Sequence, residues 1–554
     1  MRSAIRGPLV LVALLVGLLA PAEASASQVT AAEAVRAADR EEKVIEQRRA
    51  RGELESSAYR TGGLWEVSYF KGEDQVALVL IDPQTGLVRE SWTGHQIAWK
   101  MARGYEGAFG HKLNAPYVFL PLCALFLIGL LDWRRPWRVA NLDLLVLLGF
   151  GVSHFFFNRA EIGLSVPLQY PVLLYLFARC LWLGLRGRGE GLRPSWPASW
   201  LLIAALFLVG FRVGLNMADS GVIDVGYAGV VGADRISHGE PLYGNFPLDI
   251  PQGDTYGPFS YLAYVPFEAI WPWHGEWDDL PAAHAAAVCF DLATFALLIL
   301  LGLRLRPGHH GRKLAATLAF AWAAYPYTAF ALESNSNDTL VALLLTATLL
   351  LLTRPAARGA LLALATLTKF APIVLLPLIS NLSSAGGAVG GTAPEEALAT
   401  GRGGGSPAAT GPAGLAARPA ALTLGAFLIV AAVLLTWPAL DPGPSTLWER
   451  TIAYQANRDS PFSIWGQVDG LEPLRTALLG AVAVLALGLA FWPRRKSLVQ
   501  VAALGAALLI GLQLAAEHWF YLYVVWFYPL LLVAMATSEP APSPARSSPP
   551  APAG

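Results

Sequence analysis

Between residues 116 and 537 the chain alternates long apolar runs with short polar connections. Runs at 116–132, 139–157, 167–185 and 199–216 come first, followed by 285–304, 313–331, 339–353 and 359–381. Four more lie at 419–438, 474–492, 497–514 and 519–537. An apolar stretch of roughly 18 residues or more can cross a bilayer, so the pattern predicts a polytopic α-helical membrane protein with about 12–13 crossings.

Two regions depart from this rhythm. Residues 28–112 read as a small extracytoplasmic α+β domain. Ala31 to Arg51, rich in Ala, Glu and Arg, predicts one surface helix. Residues 64–70, 75–81 and 87–92 predict three strands, joined by turns at Lys71-Gly-Glu-Asp74 and Asp82-Pro-Gln-Thr-Gly86. This helix and meander resembles the PepSY-type domains. The second departure is the polar stretch 217–284, acidic and aromatic between two apolar runs. Its part 256–273 is apolar enough to imitate a span, but Tyr and Trp suit it to the headgroup level as an interfacial or re-entrant segment.

Charge sets the expected orientation. Arg2 and Arg6, an apolar run and Ala24-Ser-Ala26 form a secretory signal over 1–26, with an uncleaved anchor as the alternative. Basic connections at 134–138, 186–193, 304–313, 354–358 and 494–496 belong on the cytoplasmic side by the positive-inside rule. The segment 359–381 satisfies that rule if it is a hairpin broken at Lys369-Phe-Ala-Pro372. Residues 113–198 are then additional spans, 199–537 the main membrane domain, 382–416 a disordered linker and 538–554 a disordered tail.

Composition agrees: 55% of residues are hydrophobic and 14% charged, with a mean hydropathy of +0.46. Soluble domains are about 25% charged. Cys123, Cys180 and Cys289 fall inside apolar runs and offer neither zinc spacing nor a disulfide framework. No nucleotide-binding loop supports ATP-driven transport, and nothing suggests a nucleic-acid partner.

On this topology Asp224, Asp234, Glu240, Asn335, Asn337, Asp338, Lys369, Arg450, Gln455, Arg458 and His518 all face outward. Ile223-Asp-Val-Gly-Tyr227 leading to Ser237-His-Gly-Glu-Pro-Leu-Tyr243 resembles the first outer loop of GT-C membrane glycosyltransferases. Tyr256-Gly-Pro-Phe-Ser-Tyr261 resembles a later part of that loop. Asn335-Ser-Asn-Asp338 and Ala365-Thr-Leu-Thr-Lys-Phe-Ala-Pro372 are similar to the branch of bacterial polyprenyl-phosphate-mannose-dependent mannosyltransferases. The resemblance covers 199–537.

That resemblance implies transfer of a sugar, mannose or a relative, from a polyprenyl-phosphate donor. The acceptor would be a cell-envelope glycolipid or polysaccharide on the extracytoplasmic face of the plasma membrane, and the anomeric centre would invert. Such chemistry asks for a general base, for cations on the departing phosphate, and for side chains that hold the sugar. Asp224 matches the family's loop Asp and is the expected base; a helix N-cap is the alternative. Asp234 is the second choice, its alternative a solvated partner of Arg235. Lys369, Arg450, Arg458 and His518 compete for the phosphate, with His518 also a candidate for proton transfer. Tyr227, Tyr243 and Tyr256, with Asn337, Asp338 and Gln455, are candidates for sugar or lipid contact. No metal and no cofactor are expected. A transporter or flippase for a lipid-linked glycan is the rival class.

Overall fold

The computed structural model describes residues 29–61, 63–72, 74–97, 109–187, 189, 191–247, 249–382, 412–456, 458 and 460–537. The signal, most of the linker and the tail lie outside the described residues. The chain divides into two compact units, residues 1–103 and 104–554.

In the first unit the expected single helix is two, Ala31–Ala38 and Glu42–Arg51. A capping box starts the first: the Thr30 side chain accepts from Glu33 N–H while the Glu33 carboxylate accepts from Thr30 N–H. The sheet has four antiparallel strands in the order β1-β2-β3-β4: Glu55–Thr61, Leu64–Lys71, Asp74–Ile81 and Val88–Thr93. Strand β1 escaped the sequence reading because Glu-Ser-Ser-Ala-Tyr-Arg-Thr shows no apolar alternation, as suits an edge strand. Ala34, Ala38 and Val44 pack on Val67, Tyr69, Val79 and Ile81 to form the core.

The second unit is helical, and among the described residues six of its helices are long and apolar enough to cross a membrane. They are Val139–Phe157, Ile162–Arg186, Ala198–Asp219, Pro281–Leu305, Arg418–Leu440 and Glu472–Phe491. Shorter apolar helices cover Pro116–Leu130, Asp338–Leu350, Ala371–Ser380, Leu498–Leu514 and Tyr521–Ala536. This is a polytopic membrane protein. Residues 256–273 form only the short helices Pro258–Leu262 and Val265–Glu268, too short to cross a membrane. The run 313–331 is interrupted: one helix ends at Ala324, Tyr325 is extended, and a second runs Pro326–Glu333. Proline disfavours the helical conformation in the residue before it, which places the break there.

Segment 359–381 is a hairpin. Helix Pro355–Thr366 ends in a turn, and Ala371–Leu375 and Leu376–Ser380 lead back. Buried Arg358 donates to Leu352 O and to Leu382 O, both at 2.9 Å, and so ties the two ends together.

Intramembrane charges are paired across helices. Arg212 meets Asp291 at 2.6 Å, and Arg179 meets Asp143 at 2.9 Å. Each would be costly alone in a low-dielectric surround.

Candidate functional site

Two glycines bring four distant segments of the second unit together. A Cβ on Gly226, one turn into helix Asp224–His238, would lie 2.2 Å from Asn335 O, so only a bare backbone lets this helix abut the 333–338 connection. Ile223 N–H donates to Ser334 O at 3.2 Å beside it. A Cβ on Gly257 would lie 2.2 Å from Leu367 O. There Phe259 N–H donates to Leu367 O (2.9 Å) and Ser260 Oγ to Thr368 O (2.7 Å), stapling the 256–261 loop onto the hairpin turn.

Lys369 stands at that turn, 7% exposed, with Nζ 2.6 Å from Oδ1 of fully buried Asp338. The same oxygen accepts from Trp526 Nε1 at 2.8 Å, and Asp338 Oδ2 accepts from Ser336 Oγ at 2.8 Å. Both carboxylate oxygens are therefore engaged. Lys369 Nζ also lies 5.3–5.6 Å from the ring centroids of Tyr256, Tyr523 and Trp526, within cation–π range. Asn337 donates to Ser260 Oγ at 2.9 Å, and its buried Oδ1 has no hydrogen-bond partner.

The Lys369 ammonium faces a cavity of 260 Å³ lined by Tyr256, Lys369, Gln455, Arg458, His518 and Trp526, among others. Five segments from residue 255 to residue 526 contribute to it. Asp224 stands within electrostatic reach of Arg458, Lys369 and Asp338. It is half-buried, and burial raises its pKa against the opposing pull of Arg458 and Lys369. Asp224 is the first residue of its helix; the N-cap position belongs to Ile223. Its Oδ1 accepts from Val225 N–H at 2.9 Å. Burial likewise pushes the Tyr256 phenol well above its usual value, with the Asp224 charge adding to the effect.

His518 is held neutral, first by burial and then by repulsion from Arg458 and Lys369. Its Nδ1 lies 2.9 Å from Ser460 Oγ, which already accepts from Phe462 N–H. The imidazole and that hydroxyl are thus hydrogen-bonded to each other. A neutral imidazole replaces the cation that sequence reading had allowed at this position.

Other candidates lie elsewhere. The Arg450 guanidinium clasps fully buried Asp254 through Nε (2.8 Å) and Nη2, and reaches Pro251 O. Tyr227 donates to Asp249 at 3.0 Å and stacks on Trp277. Tyr243, fully buried, donates to Tyr256 O at 2.9 Å and supports the cavity wall from behind. Asp234 sits 3.3 Å from His238 Nδ1 rather than beside Arg235, whose side chain reaches Pro241 O and Asn245 O. None of these four lines the cavity.

Sequence reading missed Ser336, Ser260, Tyr523 and Trp526. The last two looked like ordinary aromatic residues at the head of a span. The short helix Tyr521–Tyr523 and the extended Phe520 before it turn their segment into the site. Among the described residues no three His, Cys, Asp or Glu side chains cluster to hold a metal ion.

Residues 255–393 match the family model described as Glycosyltransferase family 87. That segment contains Tyr256, Asn337, Asp338 and Lys369. No curated protein matches the chain. Among solved structures the chain is similar to ArnT from Cupriavidus metallidurans bound to undecaprenyl phosphate, at 14% identity and a TM-score of 0.40. That match covers 61% of this chain and 59% of the other.

Proposed function

We propose that the protein is an integral-membrane glycosyltransferase of GT-C type. It moves a sugar, mannose or a relative, from a polyprenyl-phosphate donor to a glycolipid or polysaccharide of the cell envelope, at the extracytoplasmic face. The observation that carries this reading is the cavity lined by Lys369 and Arg458, both within electrostatic reach of Asp224, which does not itself line it. The match of residues 255–393 to glycosyltransferase family 87 supports it, because that segment supplies Tyr256 and Lys369 to the cavity wall.

In this reading the acceptor oxygen attacks the anomeric carbon from the face opposite the phosphate, and the carbon–phosphate oxygen bond breaks with inversion. The acceptor proton passes to Asp224. Asp338 is a poor choice for that task, since its two oxygens already serve Lys369, Trp526 and Ser336. A carboxylate whose pKa is raised by burial is a stronger base while it remains ionised. Lys369 and Arg458 take up the charge developing on the departing lipid phosphate, and neutral His518 lines the same cavity.

A flippase would place its polar groups on broken helices at the bilayer midplane. Here the intramembrane charges Arg212, Asp291, Arg179 and Asp143 close on one another, which favours the enzyme. The deciding experiment is Asp224→Asn assayed for transfer from a polyprenyl-phosphate sugar in detergent. A fall of about 10²–10⁴-fold in turnover is expected on losing a general base. Full turnover in this variant removes Asp224 from the mechanism.

A further inference from the structure

The second unit holds another cavity, larger and chemically unlike the first. It measures 1050 Å³, at or above the upper end of the roughly 300–1,000 Å³ usual for small-molecule pockets. Helix Pro116–Leu130 forms one wall, and residues 148–159 the other. Its body is apolar, with Leu120, Val152 and Phe155 exposed at the sides and Cys123 deeper. One end is polar. Asn114 and Asn158 both lie there, and each carries a buried side-chain oxygen with no hydrogen-bond partner. Asn114 is 8% exposed, so its orphaned acceptor has no access to bulk water. Arg159 stands at the same end, exposed, its guanidinium 4.8 Å from the Phe155 ring and in no ion pair among the described residues.

Depth decides what such a slot holds. From Leu148 to Arg159 the helical rise is about 16 Å, close to half of the roughly 30 Å hydrocarbon core of a bilayer. A slot one leaflet deep, apolar along its length and polar at the headgroup end, has the dimensions of a membrane lipid. Two unpartnered acceptors call for hydroxyl donors, and an unpaired guanidinium calls for a phosphate.

We propose that this cavity binds one anionic phospholipid with a hydroxylated headgroup, its acyl chain along helix Pro116–Leu130 and its phosphate at Arg159. The site is separate from the Lys369 cavity, and the assignment stands or falls independently of the proposed sugar transfer. It gives the additional N-terminal spans a task.

Cys123 provides the readout, because it lines the slot and is half-buried, whereas Cys180 is fully buried. The full-length protein carrying Cys289→Ser, in detergent, is treated with a small maleimide in mixed micelles of defined lipid. Phosphatidylglycerol is expected to slow Cys123 alkylation about tenfold, which corresponds to about 1.4 kcal/mol of occupancy. Phosphatidylcholine at the same mole fraction should leave the rate within about twofold. Arg159→Gln should erase the difference, and Asn158→Leu should reduce it if Arg159→Gln does not fold. Equal protection by both lipids marks ordinary bilayer contact and overturns the proposal, as does protection by neither.

Discussion

Lys369 and Asp338 form a buried ion pair of 2.6 Å whose two members have different surroundings. Asp338 is enclosed and saturated with donors, while Lys369 opens onto the cavity. The pair fixes the position of a cation that a phosphate can then approach. Removing one member of a buried pair typically costs about 3–5 kcal/mol, because the other is left uncompensated. Asp338→Asn should therefore lower the thermal unfolding midpoint sharply. The double variant Asp338→Asn with Lys369→Met should recover much of that stability but no turnover. Recovered turnover would remove Lys369 from the chemistry.

The pH dependence of transfer should follow Asp224. Its pKa is raised by burial, so the ionised, competent form accumulates only above the usual carboxylate range. We expect kcat/KM to rise with pH through an apparent pKa above about 4 and to fall as acid protonates the base. A profile flat down to pH 4 would exclude a perturbed carboxylate.

Arg450 should matter for folding rather than for turnover. Its partner Asp254 is fully buried and also accepts from Gly244 N–H at 2.6 Å. Arg450→Met should lower stability by about 3–5 kcal/mol, while the fraction that remains folded keeps near-normal kcat. Loss of kcat with an unchanged unfolding midpoint would reverse that assignment.

Glu333 carries a stability switch of its own. It is 2% exposed, neither carboxylate oxygen has a hydrogen-bond partner, and burial raises its pKa to about 8. The folded state then holds a proton that the unfolded chain releases near its ordinary value of 4.5. Between those values the native state binds more protons, so stability is greatest at the acid end and declines as pH rises towards 8. The unfolding midpoint should fall between pH 5 and pH 8, and Glu333→Gln should flatten that slope. An unchanged slope in the variant would show that other groups produce it.

Much of this was legible in the sequence. The apolar runs gave the helices, and the parity of basic connections gave the hairpin at 359–381, which Arg358 clasps at its base. Lys369, Arg458, Gln455, Tyr256 and His518 were singled out separately and share one cavity. The pairing of Arg450 was not legible, because a loop arginine gives no hint of a buried carboxylate 196 residues earlier. Strand β1 was hidden by its polar composition. Trp526 and Tyr523 were hidden because an aromatic residue at a membrane boundary has a sufficient explanation already. The local pattern shows which residues are unusual, but which of them meet depends on packing, and here on Gly226 and Gly257.

The stapling of the 256–261 loop to the hairpin turn has a consequence for how substrate reaches the cavity. Leu367 O and Thr368 O each hold that loop, and Asn337 holds Ser260 from the other side. These three segments form one jaw that cannot part without breaking several buried bonds. The opposite jaw is built differently. Residues 449–453 are a π-helical turn, and Gln455 touches Thr255 O at only 3.5 Å. A long lipid donor is therefore expected to enter past Ile452 and Gln455 rather than through the stapled loop, with the Arg450–Asp254 salt bridge anchoring the base of that segment.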